Sequence, residues 1–247
     1  MKEIITTFTG ETIQYEDATH SYYDMSGTKL LGASSYAKRF GKSFDKASIL
    51  PRTAQSWGVE EKDLDNLWSI NGRISNEFGS SIHSAMELWF RYKKMGDKIA
   101  KHKGLEHNYA LPKNVHIRDI VLSFAEKFDI NGEPEALVSS IKKRMAGRVD
   151  LIHIVEPMVC RIADYKTNNE LDSDKMTKYQ NQLSFYADIL TTHGWTVKGL
   201  DIYHHDGTRW TCIPMEVLPV VLSPQGSRAP AWKGVGYYNN NKTSIKI

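Results

Sequence analysis

Alternation of apolar and polar positions is clearest between residues 147 and 166, where Leu151-Ile-His-Ile-Val155 and Val159-Cys-Arg-Ile-Ala163 flank Glu156-Pro157-Met158. The pattern predicts a β-hairpin with two β-branched arms and a three-residue turn. That turn pairs Val155 with Val159, and counting outward sets Asp150 opposite Asp164. Alternate side chains of a strand share a face, so Asp164 and Lys166 project together while Tyr165 points the other way.

Helical periods lie on both sides of this hairpin. Phe78, Ile82, Met86 and Trp89 form an apolar stripe in a helix expected over 75–94, with Gly79, His83 and Glu87 as a neighbouring row at i, i+4, i+8. A lone histidine at such a boundary is ordinarily a hydrogen-bonded core residue, but the small Gly79 beside it favours close approach of a backbone or ligand. The polar stretch 98–113 reads as an exposed excursion. A second helix is expected over 114–128, with Val115, Ile120, Val121, Phe124 and Phe128 as its core face. Asn131-Gly132 then turns the chain towards a strand at 137–141. After Lys166, a loop over 167–172 leads to a helix capped by Ser173 or Asp174. Met176, Tyr179, Leu183, Tyr186 and Leu190 face inward along it, and Gly194 closes it. Gln182 and Tyr186 lie one turn apart and can address one ligand. Strands at 200–203 and 210–213 complete the sheet, with His204-His205-Asp206 in an exposed turn between them.

The remaining segments are less periodic. Residues 1–35 read as short strands and turns, and 36–72 as short helices, including an acidic one over 59–67. Together these predict an α/β protein with a central mixed sheet flanked by helices and an N-terminal mixed lobe. The expected division is an N-terminal lobe over 1–72, a core over 73–222 and a tail over 223–247. In the tail, Trp232, Tyr237 and Tyr238 alternate with Lys233 and Lys242 and could stack bases, although such platforms usually sit on a rigid sheet.

Composition narrows the setting. With 40% apolar and 25% charged residues the chain is of the soluble globular class. No run approaches the ~20 apolar residues of a membrane span, and the polar start lacks a signal-peptide core, so a cytoplasmic protein is expected. Cys160 and Cys212 fall on strands and read as buried thiols, too few for a four-cysteine iron–sulfur cluster. The net charge of +3 decides little. Its clusters say more: Lys38 to Arg52, Arg91 to Lys103, and Lys142-Lys143-Arg144 could each neutralise phosphates, although most such runs are solvated faces.

An Asp-x-Lys tripeptide alone is common. Here it ends an apolar strand and faces a second carboxylate. Two carboxylates opposed across a ladder repel each other, and a divalent cation between them removes the cost. A hard-oxygen cation site beside a lysine suits phosphodiester hydrolysis.

The series Gly79-x3-His83-x3-Glu87, Glu135, Gly147-Arg148-Val149-Asp150, Asp164-Tyr165-Lys166-Thr167 and Gln182-x3-Tyr186 resembles the RecB-type branch of the PD-(D/E)XK nucleases, whose core is restriction-endonuclease-like. His20-x-Tyr22 through Gly27-x3-Leu31 is similar, more loosely, to phage and mitochondrial genome-maintenance exonucleases. The resemblance implies that Asp150 and Asp164 bind two Mg²⁺ or Mn²⁺ ions, with the Tyr165 carbonyl and His83 as further ligands. Lys166 orients the attacking water, and Glu135 supplies a further carboxylate, although Glu133 is an alternative. Gln182, Tyr186, Tyr179, Arg148, Lys142, Lys143 and Arg144 are the implied contacts to DNA, whether single-stranded or the ends of a duplex. The implied activity is that of a DNA exonuclease in recombination, repair or replication, working beside a recombinase, single-strand-binding protein or helicase, in the host cytoplasm if phage-encoded. A non-catalytic nucleic-acid-binding module, the nuclease subunit of a helicase–nuclease complex and a structure-specific endonuclease remain as alternatives.

Overall fold

The computed structural model describes residues 2–41, 44–168 and 170–222; the aromatic and basic residues of the tail lie outside them. Three strands, β1 (Glu3–Thr6), β2 (Thr12–Glu16) and β3 (Ser21–Tyr23), form an antiparallel sheet. Its β1–β2 turn is fastened to the main body by the Phe8 N–H, which donates to the Leu137 carbonyl at 2.7 Å.

The main sheet contains β4 (Leu31–Gly32), β5 (Gly132–Ser140), β6 (Met145–Glu156), β7 (Val159–Lys166), β8 (Thr196–His205) and β9 (Trp210–Met215). Strand β6 organises it. One edge of β6 pairs antiparallel with β5 from His153 to Met145, and the other carries β4 at Met145–Ala146 and β7 from Leu151 onward. Residues 147–150 therefore have no ladder partner on that second edge. Strand β8 adds parallel to β7, and β9 antiparallel to β8, making the sheet mixed.

Helices cover both faces. On one side α1 (Ala33–Ala37) and α5 (Ser173–Thr192) enclose a core of Val138, Ile152, Ile162, Leu183, Phe185 and their neighbours. On the other, α3 (Glu61–Lys103) and α4 (Val115–Lys127) bury Ile82, Met86, Val121 and Phe124 against Leu151, Tyr165 and Trp210. Helix α2 (Lys46–Trp57) packs on the first turns of α3. No helix among the described residues is long and apolar enough to cross a membrane.

Several local expectations are corrected. The helix expected over 75–94 is one element of 43 residues that runs through positions 72 and 73. Before Ile82 it buries only Leu64, which explains why apolar periodicity missed its first half. The excursion over 98–113 is helical through Lys103, and Ala110 and Leu111 are buried. Strand β5 starts five residues earlier than expected. Helix α5 is capped by Asp172, whose side chain accepts the Lys175 N–H, rather than by Ser173 or Asp174. Val115 is 56% exposed; the core face of α4 is made by the buried Ile120, Val121 and Phe124, with Phe128 just past its end packed against them. His205 is buried against Trp210 rather than exposed in a turn.

Candidate active site

The hairpin register expected from alternation holds from Leu151↔Ala163 to Ile154↔Cys160, but its turn does not. Glu156 pairs with Val159, leaving a two-residue turn and an extra residue, Val155, as a bulge. Met158 takes the left-handed conformation (φ 61°) that such a tight turn requires. At the other end the ladder stops one step before Asp150 and Asp164. Instead of exchanging ladder bonds there, the Tyr165 N–H donates to Asp150 Oδ2 at 3.2 Å. The partnerless stretch of β6 thus presents Asp150 as a side-chain acceptor where β7 diverges.

Glu135 reaches the same point from the opposite edge. It sits between the pairs Pro134↔Leu151 and Ala136↔Val149, level with Asp150, with φ 48°. A left-handed glutamate in mid-strand costs on the order of 1–3 kcal/mol. Its Oε1 lies 3.9 Å from His83 Nδ1, which is itself 3.2 Å from Asp150 Oδ2. Glu133, the alternative acid, is drawn away by Arg91 at 3.0 Å. His83 is fixed by its other nitrogen, Nε2, 3.0 Å from the Tyr165 carbonyl. With a proton on Nε2, that nitrogen donates to the carbonyl and Nδ1 faces the acids.

One ligand atom from each of His83, Glu135 and Asp150 lies within 4.8 Å of the other two. Ligands at ~2.0–2.6 Å from one cation can span that separation, so the trio fits a divalent ion. The electrostatics fit as well. Burial and the facing Asp164 push the Asp150 carboxyl well above the usual range, a cost that a bound cation would remove. Burial disfavours a charged His83, yet Asp150 and Glu135 outweigh it and raise the imidazole to about 9. Ion binding must displace that proton.

Asp164 and Lys166 form the other half. Lys166 Nζ donates to Asp164 Oδ1 at 2.7 Å and packs over the Tyr179 ring at 4.7 Å. Burial works against both charges, but each stabilises the other: Asp164 is held below its ordinary value and Lys166 above its own. The same ammonium lies 2.7 Å from the buried Oδ2 of Asp164, so Lys166 spans both carboxylate oxygens.

The remaining expected contacts are not all gathered here. Tyr186 is buried beneath the site, where the Cβ-free Gly147 admits its ring: a Cβ there would stand 2.5 Å from Cε1. Gln182 Nε2 donates to its hydroxyl at 3.4 Å. Arg148 is held from the N-terminal sheet by the Tyr15 ring at 5.2 Å and by Asp17 at 3.9 Å. Lys142, Lys143 and Arg144 form the β5–β6 turn, ~20 Å along the strand from Asp150. Lys143 is tied there to Asp188 at 2.7 Å.

Sequence reasoning did not single out Phe78, His116, Asn168 and Lys175 as site residues, yet they line a cavity of about 840 Å³ that opens at His83 and Lys166. Their positions on three helices and a loop give no shared spacing to read.

The family model of the PD-(D/E)XK nuclease superfamily matches residues 60–209, a span that carries every member of the cluster around Asp150 and Asp164. The chain belongs to this superfamily. No curated protein matches it significantly. Membership makes the chain a metal-dependent nuclease of restriction-endonuclease-like fold. In a PD-(D/E)XK nuclease a divalent ion supplies Lewis acidity for phosphodiester hydrolysis. His83, Glu135, Asp150 and Asp164 are the residues that would hold it. Lys166 stands beside them with its ammonium on Asp164. The Tyr165 backbone serves both halves, its N–H on Asp150 and its carbonyl on His83, so the hairpin end sets the spacing of the donors.

Proposed function

We propose that this nuclease is a DNA exonuclease of the RecB-type branch, using Mg²⁺ or Mn²⁺ and acting in recombination, repair or replication. The observation carrying the catalytic part is the joint placement of Asp150, Asp164 and Lys166, with Lys166 Nζ bonded to Asp164 and His83 and Glu135 gathered around Asp150. A module that only binds nucleic acid has no use for a buried carboxylate pair whose charges burial disfavours. Lys166 provides the transition-state charge and helps orient the attacking water. His83, Glu135, Asp150 and Asp164 hold the ions, and Arg148, clamped by Tyr15 and Asp17, contacts the backbone.

The exonuclease part rests on the resemblance of the N-terminal segment to phage and mitochondrial genome-maintenance exonucleases. Digestion of circular and end-labelled linear DNA, single- and double-stranded, with Mg²⁺, Mn²⁺ or EDTA tests it. The expected result is mononucleotide or short-oligonucleotide release from linear DNA only, abolished by EDTA. Cleavage of closed circles at a comparable rate would make the protein an endonuclease.

A further inference from the structure

We propose that the groove beyond Lys166 binds an unpaired segment of the substrate strand, with a base stacked on the Phe78–His116 pair; this rests on the nuclease reading and adds to it the strandedness of the substrate. The groove runs from His83 and Lys166, between the 74–79 face of α3 and the loop after β7, to His116 at the start of α4. At about 840 Å³ it is of the size that encloses a small organic ligand. One or two unpaired nucleotides are on that scale. A B-form duplex, whose major groove alone is about 12 Å wide, is too large to enter.

The far wall has the chemistry for an unpaired base. The Phe78 and His116 rings are stacked, with centroids 5.8 Å apart and planes 25° from parallel. That separation leaves no slot between them, so a base extends the stack on the His116 side. Phe78 is anchored against the α3–α4 core, which gives the platform rigidity. His116 is exposed and has no hydrogen bond or ion pair among the described residues, so its position is not explained by an internal polar partner. Stacking on aromatic faces is the sequence-tolerant way to hold single strands, since every base has a π face.

The opposite wall carries polar groups. Asn168 lines the groove with Oδ1 buried and, among the described residues, without a hydrogen-bond partner, while its Nδ2 donates to the Glu170 carbonyl. A free carbonyl oxygen calls for a donor, which base amino and imino groups provide. Lys175 on the same side, 3.4 Å from Asp172 and beside Glu170, brings an exposed ammonium within reach of the backbone. At Gly79 the groove floor is bare backbone, with Thr167 Oγ1 3.5 Å from where a Cβ would stand. A bulky side chain there would narrow the passage between platform and metal ligands.

The test measures binding by the full chain in EDTA, where hydrolysis does not run, using labelled 12-nucleotide single strands, the same strands with one abasic site, and blunt duplexes. His116→Ala, at an exposed position, should weaken single-strand binding roughly 5- to 50-fold, and His116→Phe should restore it. Abasic substitution at the stacked position should weaken wild-type binding by a similar factor, with no further loss in His116→Ala, since the two changes remove one interaction. Duplex affinity should not respond to either variant. Single-strand binding by His116→Ala at wild-type strength, or equal losses for duplex and single strand, would overturn the proposal. Cleavage with Mg²⁺ or Mn²⁺ is scored separately. A His116-dependent single-strand binder that cleaves nothing would sink the nuclease reading alone, and a nuclease indifferent to His116 would sink the groove assignment alone.

Discussion

Lys166 and His83 flank the two carboxylates, and their charges have different uses. Lys166 is ion-paired with Asp164 and held well into its charged range, so it contributes a permanent positive charge to the transition state. Lys166→Ala should lower the single-turnover cleavage rate by at least a hundredfold while changing DNA affinity less than about threefold; wild-type cleavage by this variant would remove the lysine from the site. His83 titrates instead. Its folded value of about 9 lies above the unfolded 6.5, so the stability it contributes is full below 6.5 and is lost as pH rises through 9. The raised carboxyl of Asp150 acts in the same direction from its own unfolded value upward. Thermal unfolding in EDTA should therefore show Tm falling across pH 6.5 to 9, and His83→Gln should lose that part of the slope. Mn²⁺ should stabilise the wild type more at the upper end of the range, because proton competition is weaker there.

Two close approaches between elements position the site. Gly147 on β6 lies against the Tyr186 ring on α5, and a methyl group there would stand 2.5 Å from Cε1 and 3.3 Å from the Ala33 Cβ. Because α1, α5 and β6 all meet at that point, the overlap has little room to relax. Gly147→Ala should cost ~1–3 kcal/mol in chemical denaturation. Gly79 on α3 is the opposite case, with its nearest neighbour in ordinary contact at 3.5 Å. Gly79→Ala should raise stability by ~0.5–1 kcal/mol through helix propensity. Gly79→Leu should keep that gain but slow cleavage, since the longer side chain enters the groove. An unchanged rate for Gly79→Leu would mean that substrate does not pass between α3 and Thr167.

Across the whole molecule, positive charge is spread well beyond the metal ligands. The β5–β6 turn lies ~20 Å from Asp150 along the strand, so Lys142 and Arg144 can reach only a nucleic acid that extends out of the groove. Neutralising both should reduce the salt dependence of binding for a 30-nucleotide strand by about two units of slope, and leave a 6-nucleotide strand unaffected. Lys143 belongs to a different class, since its ammonium is committed to Asp188 on α5. Lys143→Ala should act mainly on stability. If all three substitutions moved the salt slope of short and long strands equally, the turn would have to lie beside the groove.

Local sequence determined the parts of this protein whose physics is local. Strict alternation fixed the register of β6 and β7, because a one-residue slip would turn every core side chain of the hairpin outward. It therefore placed Asp150 near Asp164 and set Lys166 beside Asp164. Helical period found the His83 row and the inner face of α5 for the same reason. The turn was misjudged by one residue, since a bulge at Val155 leaves the apolar pattern of the arms unchanged. The full length of α3 was hidden because its first turns bury little. Glu133 and Glu135 share a strand face by alternation, and the sequence favoured Glu135 only by its distance from Asp150. The physical reason is tertiary: Arg91 captures Glu133, and a left-handed backbone turns Glu135 towards His83. The groove is likewise a product of packing: Phe78, His116 and Asn168 come from two helices and a loop, brought together by burial of α3 and α4 against the sheet.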